Sequence, residues 1–299
     1  MLFSTDTAIA TTRLGINKGI KTLAEAGFPC LNLDISKHTE AIKCGEWRSI
    51  AKEYKQASEA YGIRYDLGHA PYGGGRFPDG RSVYVIEKSQ LMPRALEFAK
   101  EAGVEIVTIH PLNFLETDFK QTREYHFEKN MEFYSRLTPI ARNLGIRIGI
   151  ENLWSTDNAS GKIVGITCAD PEEHIRYVKE LGADDVFTAC LDIGHSALTG
   201  IEPQDVIRTL GKNILGALHV HDVDYVRDLH TLPYMSKLNW DEICRALGEI
   251  DYSGVLTFEA DSFLARFPSE VIPDATKLMA SVGKHLADKI DSYRIRKKS

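Results

Sequence analysis

The stretch Ala189-Cys190-Leu191-Asp192-Ile193-Gly194-His195 decides how this sequence is interpreted. It begins as a run of small and apolar residues and then turns to a carboxylate, a glycine and an imidazole. A strand that is buried on both faces of a parallel sheet is apolar along its length. The stretch is therefore typical of a buried strand that opens into a functional loop, and we expect chemistry where this strand ends.

The same kind of ending recurs at five other places along the chain. Each is a short β-type run whose last residues include His, Asp or Glu, and each precedes a loop and a helical pattern. The five runs are 66–69, 106–110, 147–151, 216–222 and 254–259. Six ordered repeats of one pattern indicate a repeated strand, loop and helix unit.

Strand and helix signals alternate over nearly the whole chain. The predicted strands are 2–4, 30–35, 63–69, 104–110, 146–151, 186–192, 214–221 and 252–259. The helices predicted to follow them are 16–26, 46–61, 82–102, 122–144, 171–181, 202–210, 241–247 and 269–293, several of them ending at a glycine. Eight such pairs predict an α/β fold, the (β/α)₈ TIM barrel. Because the 299 residues contain no Pro/Gly/Ser-rich linker, we expect one domain over residues 1–299.

Composition limits the classes of partner. The chain has 36 Lys and Arg against 42 Asp and Glu, a formal net charge of −6, and its only basic cluster, 294–298, is interpreted as a solvated tail. The five cysteines contain no C-x-x-C pair, so neither a disulfide framework nor a thiolate zinc site is expected. No signal-peptide pattern and no run of about 18 apolar residues is found. We therefore expect a cytoplasmic protein without a nucleic-acid or membrane partner.

Polar residues at the predicted strand ends converge on one face of such a barrel. They are His69, His110, Glu151, Asp192, His219, His221 and Glu259. That many carboxylates cannot stay charged together without compensation. A buried salt-bridge network is the alternative explanation, but no Lys or Arg stands at these strand ends. We therefore predict that Glu151, Asp192, His219 and Glu259 bind a divalent cation: Mn²⁺, Mg²⁺, Co²⁺ or Zn²⁺.

Further residues stand next to this set. His195 is expected on the loop after Asp192, where it would reach a bound ligand or a second metal. The role of His221, as a metal ligand or as a partner of a ligand, stays open. Arg227, Asp228 and His230 follow strand seven and are candidates for binding hydroxyls, a phosphate or another ion. The glycine-rich loop 70–76 is a candidate substrate cover.

These strand-end motifs resemble the xylose-isomerase-like TIM-barrel superfamily, which includes ketose 3-epimerases, inosose-pathway isomerases, hydroxypyruvate isomerase and endonuclease IV. The motifs are Ile150-Glu151-Asn152, Leu191-Asp192-Ile193-Gly194-His195, Leu218-His219-Val220-His221-Asp222, Asp228-Leu229-His230 and Phe258-Glu259. The resemblance implies that Glu151, Asp192, His219 and Glu259 bind one divalent ion. It also implies that His195 contacts the substrate, and we add His69, His110, Arg227 and His230 as candidate substrate-binding residues.

The resemblance implies an enzyme, a metal-dependent isomerase or epimerase of sugars or sugar phosphates. In that reaction the metal holds adjacent carbonyl and hydroxyl oxygens and stabilises an enediolate, while Glu151 and Glu259 remove and return the proton. The expected partner is a small sugar, polyol or keto compound. The sequence leaves open which sugar is used, its phosphorylation, isomerisation versus epimerisation, the identity and number of metals, and the oligomeric state, a homo-oligomer included.

Two other classes of function are weighed against this one. The nine-ligand pattern of endonuclease IV, a multi-zinc phosphodiesterase of abasic DNA, also finds a residue of the right type at each position. These are His69, His110, Glu151, Asp192, His195, His219, Asp228, His230 and Glu259. The acidic balance and the lack of basic loops argue against DNA. A catalytically silent sugar-binding barrel is expected to lose a glutamate, and both are present. One departure from the sugar isomerases, 233–240 in place of P-G-x-G before a Trp, weakens any inference about substrate identity.

Overall fold

The structure is a computed structural model that describes residues 1–72, 83–113, 119–157 and 160–294. Residues 73–76 of the glycine-rich loop and 295–298 of the basic tail lie outside the described residues. The eight barrel strands are β1 (Phe3–Thr5), β2 (Cys30–Asp34), β3 (Arg64–His69), β4 (Val104–Ile109), β5 (Arg147–Glu151), β8 (Phe187–Asp192), β9 (Leu215–His219) and β10 (Leu256–Phe258). Between them, β6 (Trp154–Thr156) and β7 (Ile163–Gly165) form an antiparallel hairpin.

The barrel strands lie in the order in which they occur along the chain. A six-stranded parallel sheet has the order β2-β3-β4-β5-β8-β9, and β1 pairs in parallel with β10. Two isolated parallel bridges, Asp6 to Asn32 and Val220 to Phe258, join the two sheets at both edges. The eight strands therefore surround one interior, which confirms the predicted TIM barrel.

Helices follow the strands on the outside. They are α1 (Ala8–Leu14), α2 (Ile16–Ala26), α3 (Thr39–Cys44), α4 (Trp47–Tyr61), α5 (Val83–Ala102), α6 (Phe119–Leu144), α7 (Pro171–Glu180), α8 (Ile193–Leu198), α9 (Pro203–Ile214), α10 (Trp240–Glu249), α11 (Asp261–Leu264) and α12 (Ile272–Tyr293). α2 and α4 end where the sequence predicted, because Gly27 and Gly62 adopt the left-handed conformation, with φ of 101° and 63°. None of the described helices combines the length and the apolar character needed to cross a membrane.

The strand layer has an apolar core and a polar group inside it. Leu67, Cys190 and Ala217 are buried together, with Ile106 packed against them. The Oδ2 atom of Asp66 lies 3.4 Å from the hydroxyl of Ser4 and 3.5 Å from that of Thr257, and all three residues are buried. A larger apolar core fills the space between the strands and the helices.

Several short elements near the carboxyl ends of the strands were not predicted, among them α1, α3, α11, α8 and the hairpin β6–β7. α8 begins directly after β8, because the Asp192 side chain accepts a hydrogen bond from the His195 backbone N–H at 2.7 Å. The expectation that His195 lies on a loop is therefore wrong, since it is in the first turns of this short helix. The hairpin β6–β7 has strands of only three residues, too short for hydrophobic alternation to mark them.

Candidate metal centre

Four strand ends bring three carboxylates and one imidazole together at the carboxyl end of the barrel. Glu151 ends β5, Asp192 ends β8, His219 ends β9 and Glu259 follows β10. The Nδ1 atom of His219 lies 3.0 Å from Oε1 of Glu151 and 3.4 Å from Oε2 of Glu259. One ligand atom of each of the four residues lies within 4.8 Å of those of the others. This geometry suits a shared divalent cation.

The charges of these carboxylates are compensated in part by neighbouring imidazoles. Burial would raise the pKa of Glu151, but the imidazoles of His110 and His219 outweigh burial and hold this pKa well below its ordinary value. Burial, together with the carboxylates of Glu151 and Asp192, raises the pKa of Glu259 well above its ordinary value. Among the described residues, the ion-pair partners of these carboxylates are histidines and not Lys or Arg. A bound divalent cation would remove this repulsion.

Three histidines around the centre are oriented in the same way. The Nδ1 atom of each lies at hydrogen-bond distance from a backbone carbonyl, which can only accept, so Nδ1 carries the proton. The pairs are His69 with Ala70 at 2.9 Å, His195 with Asn152 at 3.0 Å and His230 with Glu259 at 3.0 Å. Each Nε2 atom is thereby left as a potential metal ligand, which is the arrangement that metal-binding histidines commonly have.

Two imidazoles, those of His69 and His110, flank Glu151 on the side of β3 and β4. The Nε2 atom of His110 lies 2.8 Å from Oε2 of Glu151 and 3.1 Å from Nε2 of His69. The His69 Nε2 atom is also 3.6 Å from Oε2 of Glu151. Ligand atoms of His69, Glu151 and His219 lie within 4.8 Å of one another. Glu151 therefore belongs to two neighbouring sets of ligand atoms.

A further set lies on the other side, where the segment after β9 crosses the barrel mouth. It consists of His195, His221, Asp228 and His230, whose ligand atoms lie within 4.8 Å of one another. Oδ2 of Asp228 is 3.2 Å from Nε2 of His230 and 3.6 Å from Nε2 of His195. Three imidazoles and a carboxylate are ligands suited to a transition metal such as Zn²⁺.

Electrostatics in this set favour the charged forms of three of its members. Burial opposes protonation of His195, but Asp192 and Asp228 raise its pKa to about 10. Asp228 likewise raises the pKa of His230 to about 9 against the effect of burial. Burial is outweighed at Asp228 too, because His195 and His230 hold its pKa far below the ordinary value. These charges hold the set together, and a metal ion that binds His195 and His230 through Nε2 would displace the protons there.

His221, whose role the sequence left open, contacts Asp192 of the first ligand set and His230 of the set around Asp228. Its Nε2 atom lies 3.0 and 3.1 Å from the two carboxylate oxygens of Asp192. Its ring stacks on that of His230 with centroids 4.0 Å apart and planes 7° apart. This approach depends on Gly194, because a Cβ atom there would lie 2.1 Å from the His221 ring. His221 thus orients Asp192 and packs against His230.

Arg227 is not brought to the centre. Its guanidinium pairs with Asp224, at 2.6 Å from Nη2 to Oδ2, and its side chain is 72% exposed. The expectation that Arg227 contacts a ligand has no support in this geometry, because the local ion pair holds the side chain at the surface.

Trp154 and Asn152 are two residues near the centre that sequence reasoning did not single out. The Trp154 indole donates a hydrogen bond to Oδ2 of Asp228 at 3.3 Å. The Asn152 side chain accepts from the Asp192 backbone N–H at 2.7 Å and donates to the Asp192 carbonyl at 3.0 Å. Asn152 belongs to the motif Ile150-Glu151-Asn152. No local sequence pattern marks Trp154, because its partner Asp228 is distant in sequence.

The chain is similar to known proteins in sequence and in fold. A family model described as "Xylose isomerase-like TIM barrel" matches residues 20–281. The uncharacterized protein MJ1311 of Methanocaldococcus jannaschii is 31% identical over 167 residues, which are 55% of this chain and 54% of that protein. The chain spans about half the length of the curated relatives that it matches.

Solved structures with a similar fold cover nearly the whole chain. A D-tagatose 3-epimerase-like protein is 20% identical, with a TM-score of 0.68 over 97% of this chain and 100% of that chain. The IOLI protein with a bound zinc atom is 17% identical, with a TM-score of 0.70 over 99% of this chain and 100% of that chain. At these identities the likeness establishes the shared fold.

Proposed function

The chain belongs to the xylose isomerase-like TIM-barrel family, and we propose that it is a metal-dependent isomerase or epimerase of a small sugar or related polyol or keto compound. The observation that carries this proposal is the convergence of Glu151 and Glu259 with Asp192 and His219, whose ligand atoms lie within 4.8 Å of one another at the carboxyl end of the barrel. Two carboxylates beside one cation site are suited to remove a proton from carbon and to return it.

The residues of the site divide the work of this reaction. A divalent ion held by Glu151, Asp192, His219 and Glu259 would polarise the oxygens of a sugar next to the reacting carbon. Glu151 is kept ionised by His110 and His219 and is suited to accept the proton. Glu259, whose side chain is 14% exposed, is the carboxylate proposed to return the proton. Where the proton returns decides between isomerisation and epimerisation.

The comparisons support this proposal without identifying the substrate. One similar structure is of a D-tagatose 3-epimerase-like protein, and another contains zinc. For this chain we propose a neutral or phosphorylated small sugar as the partner and no nucleic-acid or membrane partner. The metal remains one of Mn²⁺, Mg²⁺, Co²⁺ and Zn²⁺.

The test follows proton exchange at the substrate carbon. Protein loaded separately with each metal is incubated with ketoses in D₂O, and loss of the carbon-bound proton is followed by NMR. We expect exchange with at least one ketose, and we expect Glu151→Gln and Glu259→Gln each to slow it by about 10² to 10⁴. Glu53→Gln, on the exposed face of α4, is the matched control and should exchange at the unmodified rate. Equal exchange rates in the site variants and the control would contradict the two-carboxylate mechanism.

A second candidate is a phosphodiesterase related to endonuclease IV, and one observation favours it. The three sets of ligand atoms include eight of the nine residues of that enzyme's pattern, and His110 lies 2.8 Å from Glu151. The formal net charge of −6 argues against it, because a DNA enzyme must offset many phosphates. Incubation with an abasic-site duplex, together with elemental analysis, separates the two. Strand cleavage with three metals per chain and no proton exchange would replace our proposal with the nuclease.

A further inference from the structure

His219 differs from three other histidines around the metal centre in the ring nitrogen that faces the ligand atoms. The three histidines described above turn Nδ1 to a backbone carbonyl, so Nε2 is their potential metal ligand. At His219 it is Nδ1 that lies 3.0 Å from Oε1 of Glu151 and 3.4 Å from Oε2 of Glu259. The Nε2 atom lies 3.3 Å from the hydroxyl of Thr108. A cation shared with the two glutamates would therefore be bound by Nδ1 of His219.

Thr108 has a second hydrogen-bond partner, which fixes the direction of its bond to His219. It lies on β4, two residues before His110, and is completely buried. Its hydroxyl donates a hydrogen bond to Sγ of Cys190 at 3.4 Å. A hydroxyl carries one proton and accepts through its lone pairs. Because that proton is directed to Cys190, the hydroxyl accepts the hydrogen bond from Nε2–H of His219.

The three residues of this chain of hydrogen bonds come from three strands of the barrel. Thr108 lies on β4, Cys190 on β8 and His219 on β9, and each is 0% exposed. Gly149, the register partner of Thr108 on β5, leaves space for them. A Cβ atom at that position would lie 3.1 Å from Cβ of Cys190 and 3.6 Å from Oγ1 of Thr108. A longer side chain there would press against both residues.

The hydroxyl of Thr108 stabilises one of the two neutral tautomers of His219. A buried N–H group without an acceptor is costly, so an acceptor beside Nε2 favours the tautomer with the proton on Nε2. In the other tautomer, Nδ1–H can donate to Oε1 of Glu151, which lies 3.0 Å away. That hydrogen bond occupies two of the atoms that a cation needs. A group that holds the proton on Nε2 therefore favours metal binding.

We propose that Thr108 is a positioning residue that holds the ring proton of His219 on Nε2 and so keeps Nδ1 available as a metal ligand. Metal-binding histidines commonly donate the other ring N–H to an acceptor of the protein, and loss of that acceptor lowers metal affinity. Thr108 acts through His219 and does not itself bind the cation. This inference rests on the proposed function, because the cation bound by His219 is the one that the proposed reaction uses.

The first test measures the affinity for Zn²⁺ by competition with a chelator, at the site that His219→Ala removes. Thr108→Val keeps the shape of the side chain without its hydroxyl, and we expect it to lower this affinity about 10- to 100-fold. Thr108→Ser keeps a hydroxyl and should retain most of the affinity. Thr188→Val is the matched control, because Thr188 is also buried in a barrel strand and its hydroxyl donates to the carbonyl of Ile214 at 2.9 Å. The control should bind Zn²⁺ as the unmodified protein does, and circular dichroism checks that each variant folds.

The second test identifies the nitrogen of His219 that carries the proton. Protein labelled with ¹⁵N in histidine is loaded with Zn²⁺ and studied by NMR, and the His219 signals are assigned by their loss in His219→Ala. We expect the proton on Nε2 in the unmodified protein and in Thr188→Val. In Thr108→Val the signal of this proton should move to a lower chemical shift, because its acceptor is gone.

The outcomes separate this inference from the proposed function. Zn²⁺ bound through Nε2 of His219 in the unmodified protein would overturn the role of Thr108, whether or not Thr108→Val folds. Equal Zn²⁺ affinities of Thr108→Val and Thr188→Val would overturn it as well. Absence of proton exchange with every ketose would overturn the proposed function, while the Zn²⁺ affinities and the protonated nitrogen would still decide the role of Thr108.

Discussion

Glu151 and Asp66 are both almost completely buried in the strand layer, yet their surroundings favour opposite charge states. Their exposures are 1% and 6%. At the carboxyl end of the barrel, His110 and His219 keep the pKa of Glu151 well below its ordinary value in spite of burial. At Asp66, burial raises the pKa to about 6, and a thiol and hydroxyl groups offset it only in part. The two side chains are buried to a similar degree, so their neighbours decide whether each carboxyl group is charged.

The largest effect expected from this difference is metal-dependent stability. A divalent ion at about 1,000 times its Kd should stabilise the fold by about 4 kcal/mol, because the unfolded chain lacks the assembled ligands. Denaturant unfolding with and without chelator measures it. His219→Ala should lose most of the increment, whereas Asp66→Asn should keep it. The same increment in both variants would place the metal somewhere other than the predicted centre.

The next largest effect is the pH dependence of the free energy of unfolding that arises at Asp66. The pKa of Asp66 is about 6 in the fold against an ordinary 3.8, which corresponds to about 3 kcal/mol. Because the folded value is the higher one, this stability is present below about pH 4 and is lost as pH rises through about 6. Asp66→Asn should remove that part of the pH dependence in unfolding measurements between pH 4 and 7. Asp274→Asn, on the exposed part of α12, serves as the control and should keep the slope of the unmodified protein.

The smallest effect tests whether the hairpin supports the ligand set around Asp228. Trp154→Phe removes the indole N–H that hydrogen-bonds Asp228 but keeps an aromatic ring beside His195. Loss of a hydrogen bond to Asp228 should lower the affinity for a metal bound by the set around Asp228 about tenfold. The affinity for a metal bound by Glu151, Asp192, His219 and Glu259 should stay unchanged. Competitive titration with a metal chelator gives both affinities. If both constants stay at their original values, the Trp154 contact does not hold Asp228 for a metal.

Much of the fold followed from local pattern. The ends of α2 and α4 were predicted because a glycine follows each helix, and both glycines adopt a positive φ. The strand ends were predicted because apolar runs give way there to polar residues. The same strand-end signal is present at Asp6 and Asp34, where the first two strands end, although it was considered only from the third strand onward. His195 was misplaced because Asp192 starts a helix at once.

What the sequence by itself determined is the order of eight strand and helix units and the identity of the polar residues at their carboxyl ends. Both depend on hydrophobic period and on stop signals, which neighbouring residues carry. The tertiary structure alone decided which of these residues meet. The contact of His221 with Asp192 and that of Trp154 with Asp228 depend on distances set by strand register, barrel closure and loop paths. Those distances arise between segments far apart in the chain, and no local periodicity records them.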